Sequence, residues 1–303
     1  MAGQGEGSVK AILYALAANG GIAIAKGVAA FWTGSGSMLA ETIHSVADCG
    51  NQILLLIGIK RSALPATAQH PLGQGRAMYF WSLIVALLLF SVGGLFSAYE
   101  GIHRLLHPAP VKDPWIAVGV LVLSVLLEAS ALWGALKIIR AQQGTRTFWQ
   151  WFRETRQSEL MVVAGEDIAA IGGLTFAVIA LLLAIATGNP LFDALGSLVI
   201  GTLLIVVAIL IVREVKSLII GESAEPLVHA DIERFVAARP EVAEIFNLIT
   251  LQWGNNVVVT VKARMRESTD AAKLVADINA CEVALKQAFP VVNWIFFEPD
   301  NKV

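Results

Sequence analysis

The chain has 303 residues, of which 56% are hydrophobic and only 15% charged, well below the roughly one-quarter charged content of a soluble domain. That balance describes an α-helical, polytopic membrane protein. A net charge of -2 gives no global basic surplus for nucleic acid, and two cysteines, Cys49 and Cys281, suggest neither a disulfide framework nor a cysteine-rich zinc motif.

Residues 1–10 carry no cleavable signal layout and no Arg-rich presequence, so the first apolar segment is expected to be retained. Stretches of roughly 20 apolar residues predict six transmembrane helices, at 11–33, 37–60, 78–106, 114–139, 160–187 and 191–212. The short connections at residues 33–37 and 188–190 predict that spans one and two, and spans five and six, are antiparallel neighbours. Turn formers between Pro65 and Arg76 make that segment a loop.

Lys10, Lys60, Arg61, Arg76, Lys137, Arg140, Arg146, Arg153, Arg156, Arg213 and Lys216 fall on the side shared by both termini, against Arg104 and Lys112 opposite. The excess of positive charge predicts cytoplasmic termini. The transport unit is expected over 1–221 and a cytoplasmic α+β domain over 222–303. In the latter a helix at Glu225–Ala238, strands at Ala243–Trp253 and Val257–Met265 joined by a Gly254–Asn256 hairpin, a helix at Asp270–Phe289 and a strand at Val291–Phe297 give the order α-β-β-α-β, a ferredoxin-like layout.

The chemistry gathers in two spans. Glu41, His44, Asp48, Asn51 and Gln52 of the second recur at offsets of three or four, which makes a polar seam on one helical face. Packing across membrane helices could use such groups, but a neutral amide would suffice for that, whereas an ionisable pair at membrane depth marks an ion or proton pathway. The fifth span carries Glu166 and Asp167 amid Gly165, Ala169, Ala170, Gly172 and Gly173, small residues expected to let it approach a neighbour closely. Adjacent residues differ by about 100° around a helix, so one carboxylate should face the seam and the other obliquely. One imidazole and two or three carboxylates suit Zn²⁺ and tolerate Mn²⁺, Fe²⁺ or Co²⁺. Cys49 points away from Asp48 and is read as packing. Glu128, Asn19 and Lys26 are weaker candidates to pair or line a proton path, and Asp193 is read as a helix cap.

These residues resemble the cation diffusion facilitator family of metal/proton antiporters over essentially the whole chain. The resemblance rests on six spans, the His44/Asp48 motif, the acidic fifth-span motif, Gly34–Glu41, His70–Gly73, Asn189–Asp193 and the tail order. It implies export of a divalent metal, zinc favoured, in exchange for protons, by a non-enzymatic homodimer of a bacterial inner membrane with no cofactor beyond its cargo. His44, Asp48, Glu166 and Asp167 would be the metal ligands, with Glu166 in the principal acidic position because Ala170 follows it by four. Most members hold a His or Asp four residues before that acidic ligand, whereas Val162 and Val163 stand here. With Glu-Asp in the fifth span and Asn-Gln after the second-span motif, the chain looks like the mitochondrial zinc-transporter branch. Gln74 replaces a common loop histidine, and the tail has His229 alone, so a cytoplasmic domain that dimerises without a metal cluster is expected. The rival readings are a membrane metal sensor or scaffold, and a membrane-embedded metal enzyme, for which no His-Glu-x-x-His motif is found.

Overall fold

The computed structural model describes residues 2–33, 36–108, 113–266 and 270–301; within these, the side chains of 2–8, 11, 30, 33, 36–41, 43 and 44 lie outside the described residues, as does all of Lys112. α1 (Ala2–Thr33) packs along α2 (Gly36–Ser62), and α7 (Ser158–Thr187) along α8 (Leu191–Ile220), the neighbours expected from their short connections. α3 (Ala77–Leu88) continues through a π-helical segment (Leu89–Leu95) into α4 (Phe96–Leu106), and α5 (Pro114–Gln143) packs on both α1 and α7. Among the described residues five helical segments are long and apolar enough to cross a membrane, with α3 to α4 counted as one. The five do not include α2, part of which lies outside the described residues.

Glycine sets how tightly the π segment and α4 approach α8. A Cβ at Gly94 would come within 2.6 Å of the Ile205 side chain, and one at Gly101 within 2.7 Å of the Leu198 amide nitrogen. The π segment containing Gly93 and Gly94 is the kind of irregularity often kept at functional sites.

Two helical features exceed the expectation. α8 runs to Ile220 rather than 212, because hydropathy reports the apolar thickness of a bilayer and not where a helix ends. A short α6 (Phe148–Glu154) follows α5, started by a capping box in which Thr147 and Gln150 bond each other's backbone. Its Trp151 and Phe152 are buried in the helical core.

After Gly221, at φ +128, the chain forms α9 (Pro226–Ala237), β1 (Val242–Trp253), β2 (Asn256–Met265), α10 (Ala271–Ala288) and β3 (Val292–Pro299). β2 is central, antiparallel to β1 and parallel to β3. Parallel pairing needs a crossover, which α10 supplies. Alternation puts Val257, Val259, Val261 and Ala263 on one face of β2, where they pack with Ile232 and Val236 of α9 and Cys281 and Leu285 of α10.

The β1–β2 turn docks on the helical bundle. Tyr79 Oη of α3 donates to the Gly254 carbonyl at 3.3 Å and accepts from the Gly254 amide at 3.0 Å. The Arg76 guanidinium lies 4.2 Å from the Trp253 ring centroid, and Trp253 Nε1 donates to the Gly73 carbonyl. Gly254 adopts φ +64, and a Cβ there would meet the Gly75 carbonyl oxygen at 2.6 Å, so the turn needs glycine on both grounds. Arg146 pairs with Glu225 at 3.0 Å and Arg156 with Glu222 at 3.1 Å on the same end of the bundle.

Tyr79→Phe leaves the buried Gly254 amide without its acceptor. It should lower stability by about 1–3 kcal/mol, read as an earlier thermal unfolding of the detergent-solubilised protein; an unchanged melting profile would show that the turn is not held there.

Candidate metal-transport site

α2 carries the polar seam into the bundle: Asp48, Asn51 and Gln52 are all buried. His44 stands one helical turn before Asp48 on the same helix, and its side chain lies outside the described residues, as does that of Glu41. From α7, Glu166 and Asp167 are both buried, at 4% and 1% exposure.

Glu166 is clamped by amides from α2. Asn51 Nδ2 donates to its Oε1 at 3.1 Å and Gln52 Nε2 to its Oε2 at 3.1 Å. Asp48 also lies within hydrogen-bonding reach of this carboxylate. Asp167 differs: both of its oxygens are buried and accept no hydrogen bond from any described residue, and the same holds for Asn51 Oδ1 and Gln52 Oε1. Buried oxygens without donors are costly in an apolar interior. They are the right chemistry to receive a hard or borderline cation.

Of the four residues expected at the site, Asp48 and Glu166 come within hydrogen-bonding reach, Asp167 lies within electrostatic range of Asp48, and the His44 side chain is not described. Among the described residues, no three His, Cys, Asp or Glu side chains stand in an arrangement that could hold a metal ion. The small residues of α7 do allow a close approach, and the neighbour is α8. Cβ atoms at Gly165 and Gly173 would meet Ile211 at 2.9 Å and Ile200 at 3.2 Å, both on α8. α7 packs its backbone on α8 and α5, and reaches α2 through the long side chains of Asn51, Gln52 and Glu166.

Two residues rated weaker in the sequence join the cluster. Glu128 of α5 is buried and lies within electrostatic range of both Asp48 and Asp167. Lys26 of α1 is buried too, and its Nζ donates to Ser45 Oγ of α2 at 3.1 Å. Lys26, Ser45, Asp48 and Glu128, with Ala169 and Gly173, line a cavity of about 30 Å³. A second cleft of about 370 Å³ between α2 and the π segment reaches Asp48 and Asn51. Asp193 is no cap: its carboxylate pairs with Arg104 at 2.6 Å, and the first turn of α8 is bonded instead by Asn189 Oδ1, which accepts from the Leu191 amide. Cys49 is half-buried and free.

Residues 12–220 match the cation efflux transmembrane domain. The chain belongs to the cation diffusion facilitator family. It is 35% identical over 80% of its length to a mouse protein named proton-coupled zinc antiporter SLC30A9, mitochondrial, and 34% identical over 84% to the Xenopus laevis protein of that name, covering 43% and 46% of those proteins. It thus spans less than half the length of these relatives. The cation-efflux pump FieF of Salmonella newport is 24% identical over 93% of this chain and 89% of its own. In this cation diffusion facilitator, the polar seam of α2 and the acidic pair of α7 both fall inside the matched region.

The amide clamp is testable by itself. Asn51→Ala removes one of the two N–H donors to the Glu166 carboxylate and should cost about 1–3 kcal/mol, seen as a lower midpoint in thermal unfolding without metal. A stability equal to the native protein would mean that Glu166 is held by other groups.

Proposed function

We propose that this cation diffusion facilitator exports divalent metal, with Zn²⁺ favoured over Mn²⁺, Fe²⁺ and Co²⁺, in exchange for protons. The observation that carries the reading is the set of buried oxygens without donors among the described residues, Asp167 Oδ1 and Oδ2 and Asn51 Oδ1, beside Asp48 and Glu166 between α2 and α7. His44, one turn from Asp48, supplies an imidazole nitrogen, and His44, Asp48, Glu166 and Asp167 form the cargo site. An amide oxygen from Asn51 completes the shell. The relatives named as proton-coupled zinc antiporters support zinc and protons as the exchanged ions.

Carboxylates and imidazole bind metal only when deprotonated, so cargo and protons compete for the same atoms. Acidification must therefore weaken zinc binding, and protons entering from the far side displace it. α2 serves as a sixth membrane-crossing helix, its polar seam turned into the bundle. Rocking of the helices would expose the site to either side in turn. Residues 1–221 form the transport unit, and 222–303 a cytoplasmic, ferredoxin-like unit that pairs two copies of the chain. Exposed Ile249 and Phe296 support that pairing: they flank Thr260 in one row across the sheet, on the face away from α9 and α10. The positive charge gathered at the sheet-bearing end supports cytoplasmic termini, and we place the protein in a bacterial inner membrane.

In proteoliposomes, His44→Ala and Asp48→Ala should each reduce zinc-driven proton flux by more than about tenfold, the lower bound for disturbing even groups that only orient metal ligands. Full transport by either variant would remove that residue from the site. Comparing Glu166→Gln with Asp167→Asn separates the two carboxylates, and equal, mild effects would defeat the α7 half of the site. Purified protein that binds zinc yet never moves it would favour the sensor or scaffold reading. Ile249→Asp should yield a monomer by light scattering; a dimer unchanged in mass would exclude the sheet face as the pairing surface.

A further inference from the structure

Lys26 has no part in the cargo site just described, and its position is unusual. Among the described residues it is the one Lys or Arg that is buried, at 3% exposure. An ammonium taken out of water inside a helical bundle is costly unless it is bonded and faced by opposite charge. Both conditions hold: Nζ donates to Ser45 Oγ at 3.1 Å, and the side chain lies within electrostatic range of Glu128. Ser45 sits on α2 between His44 and Asp48, so Lys26 is tethered to the helix that carries the proposed ligands. Asp48 and Glu128 line the same cavity as Lys26, and Glu128 also faces Asp167. The ammonium thus stands beside the carboxylates from the α1 and α5 side, while α7 approaches Asp48 with Glu166.

We propose that Lys26 is a tethered counter-ion, partnered by Glu128, that offsets the negative charge around Asp48 and thereby sets how tightly the divalent cargo is held. It is a positioning residue and not a ligand. A fixed positive charge near the site repels a divalent cation, and inside a low-dielectric bundle that repulsion is much larger than in water. The Lys26–Glu128 pair then keeps the site from becoming a cation trap, since a cluster of carboxylates with no resident cation would bind the metal and release it slowly. Glu128 moderates the effect by holding the ammonium on the α5 side, away from the metal.

The inference rests on the transport reading, and one experiment separates the two: initial rates of Zn²⁺ transport by the full chain in proteoliposomes, measured across zinc concentrations for the native protein, Lys26→Gln, Glu128→Gln and the double variant. Lys26→Gln should lower both the KM for zinc and kcat, each by about fivefold or more, because binding tightens while release slows. Glu128→Gln should shift KM the opposite way, and the double variant, which removes a neutral pair, should return towards native values. A merely structural role for Lys26 would lower kcat without tightening KM and would not be relieved by the second substitution. Unchanged KM in Lys26→Gln, or a double variant no better than the single, overturns the counter-ion role while leaving the transport reading intact. Should Lys26→Gln fail to fold, Glu128→Gln decides alone, since a KM that does not rise also overturns it. Native protein that moves no zinc sinks the transport reading and this inference with it.

Discussion

Four carboxylates, Asp48, Glu128, Glu166 and Asp167, are buried together in an apolar helix bundle, and this is the constraint on which the rest of the structure depends. Ionised groups in such surroundings are tolerated only with partners. The partners present are of three kinds: neutral amides on Glu166, the Lys26 ammonium near Glu128, and mutual contact between Asp48 and Glu166. None of them satisfies Asp167. Among the described residues the cluster is therefore incomplete as a purely structural network, where every member would be bonded, and the deficit has the sign that a cation or protons would fill.

Holding the cluster in place falls to backbone packing that involves no polar group. α7 is fixed against α8 by Gly165 and Gly173, and the π segment and α4 against α8 by Gly94 and Gly101, so α7, α8 and α4 form a close-packed unit. Among the described residues α2 meets α7 through the ends of long side chains, and it packs its backbone on α1 and α3. The site thus lies between a tightly packed group of helices and a second group joined to it by hydrogen bonds. α3 connects this arrangement to the sheet: its first turn is bonded to Gly254 through Tyr79, and the π segment that continues it lines the cleft leading to Asp48 and Asn51. A displacement of the β1–β2 turn would be carried along one continuous helix to the edge of the cleft.

Much of this was legible in the sequence, and the exceptions have physical reasons. The α2 seam could be found because several polar residues recur at helical spacing, and Glu166 and Asp167 stood out as paired acids in an apolar run. Lys26 and Glu128 are each isolated in their helices, so no periodicity marks them, and only the packing of α1 and α5 places them beside Asp48. The small residues of α7 announced a close approach without saying to which neighbour, and α8 proved to be that neighbour. Thr147 and Gln150 did carry a readable capping box for α6, hidden by the apolar segments on either side. Asp193 obeyed the rule that acids favour the first turn of a helix, yet a nearby Arg104 competes better for a carboxylate than backbone amides do.

Val162 and Val163 sharpen the chemistry of the site. Both are fully buried in the main hydrophobic core, packed with Leu160, Met161 and Ala164. The position from which most family members offer another ligand is thus sealed by apolar packing, not merely vacant of a donor atom. In the proposed site a further donor is available from the opposite side, on α2, where Asn51 and Gln52 each keep a buried oxygen without a hydrogen bond from a described residue. Moving a donor from α7 to α2 replaces a nitrogen or carboxylate with an amide oxygen, a harder and weaker ligand. Softer ligands would favour zinc more strongly, whereas oxygen donors narrow the gap between zinc and the earlier divalent metals. Under the proposed transport reading, selectivity leans on geometry and on the charge balance around Asp48 more than on ligand identity.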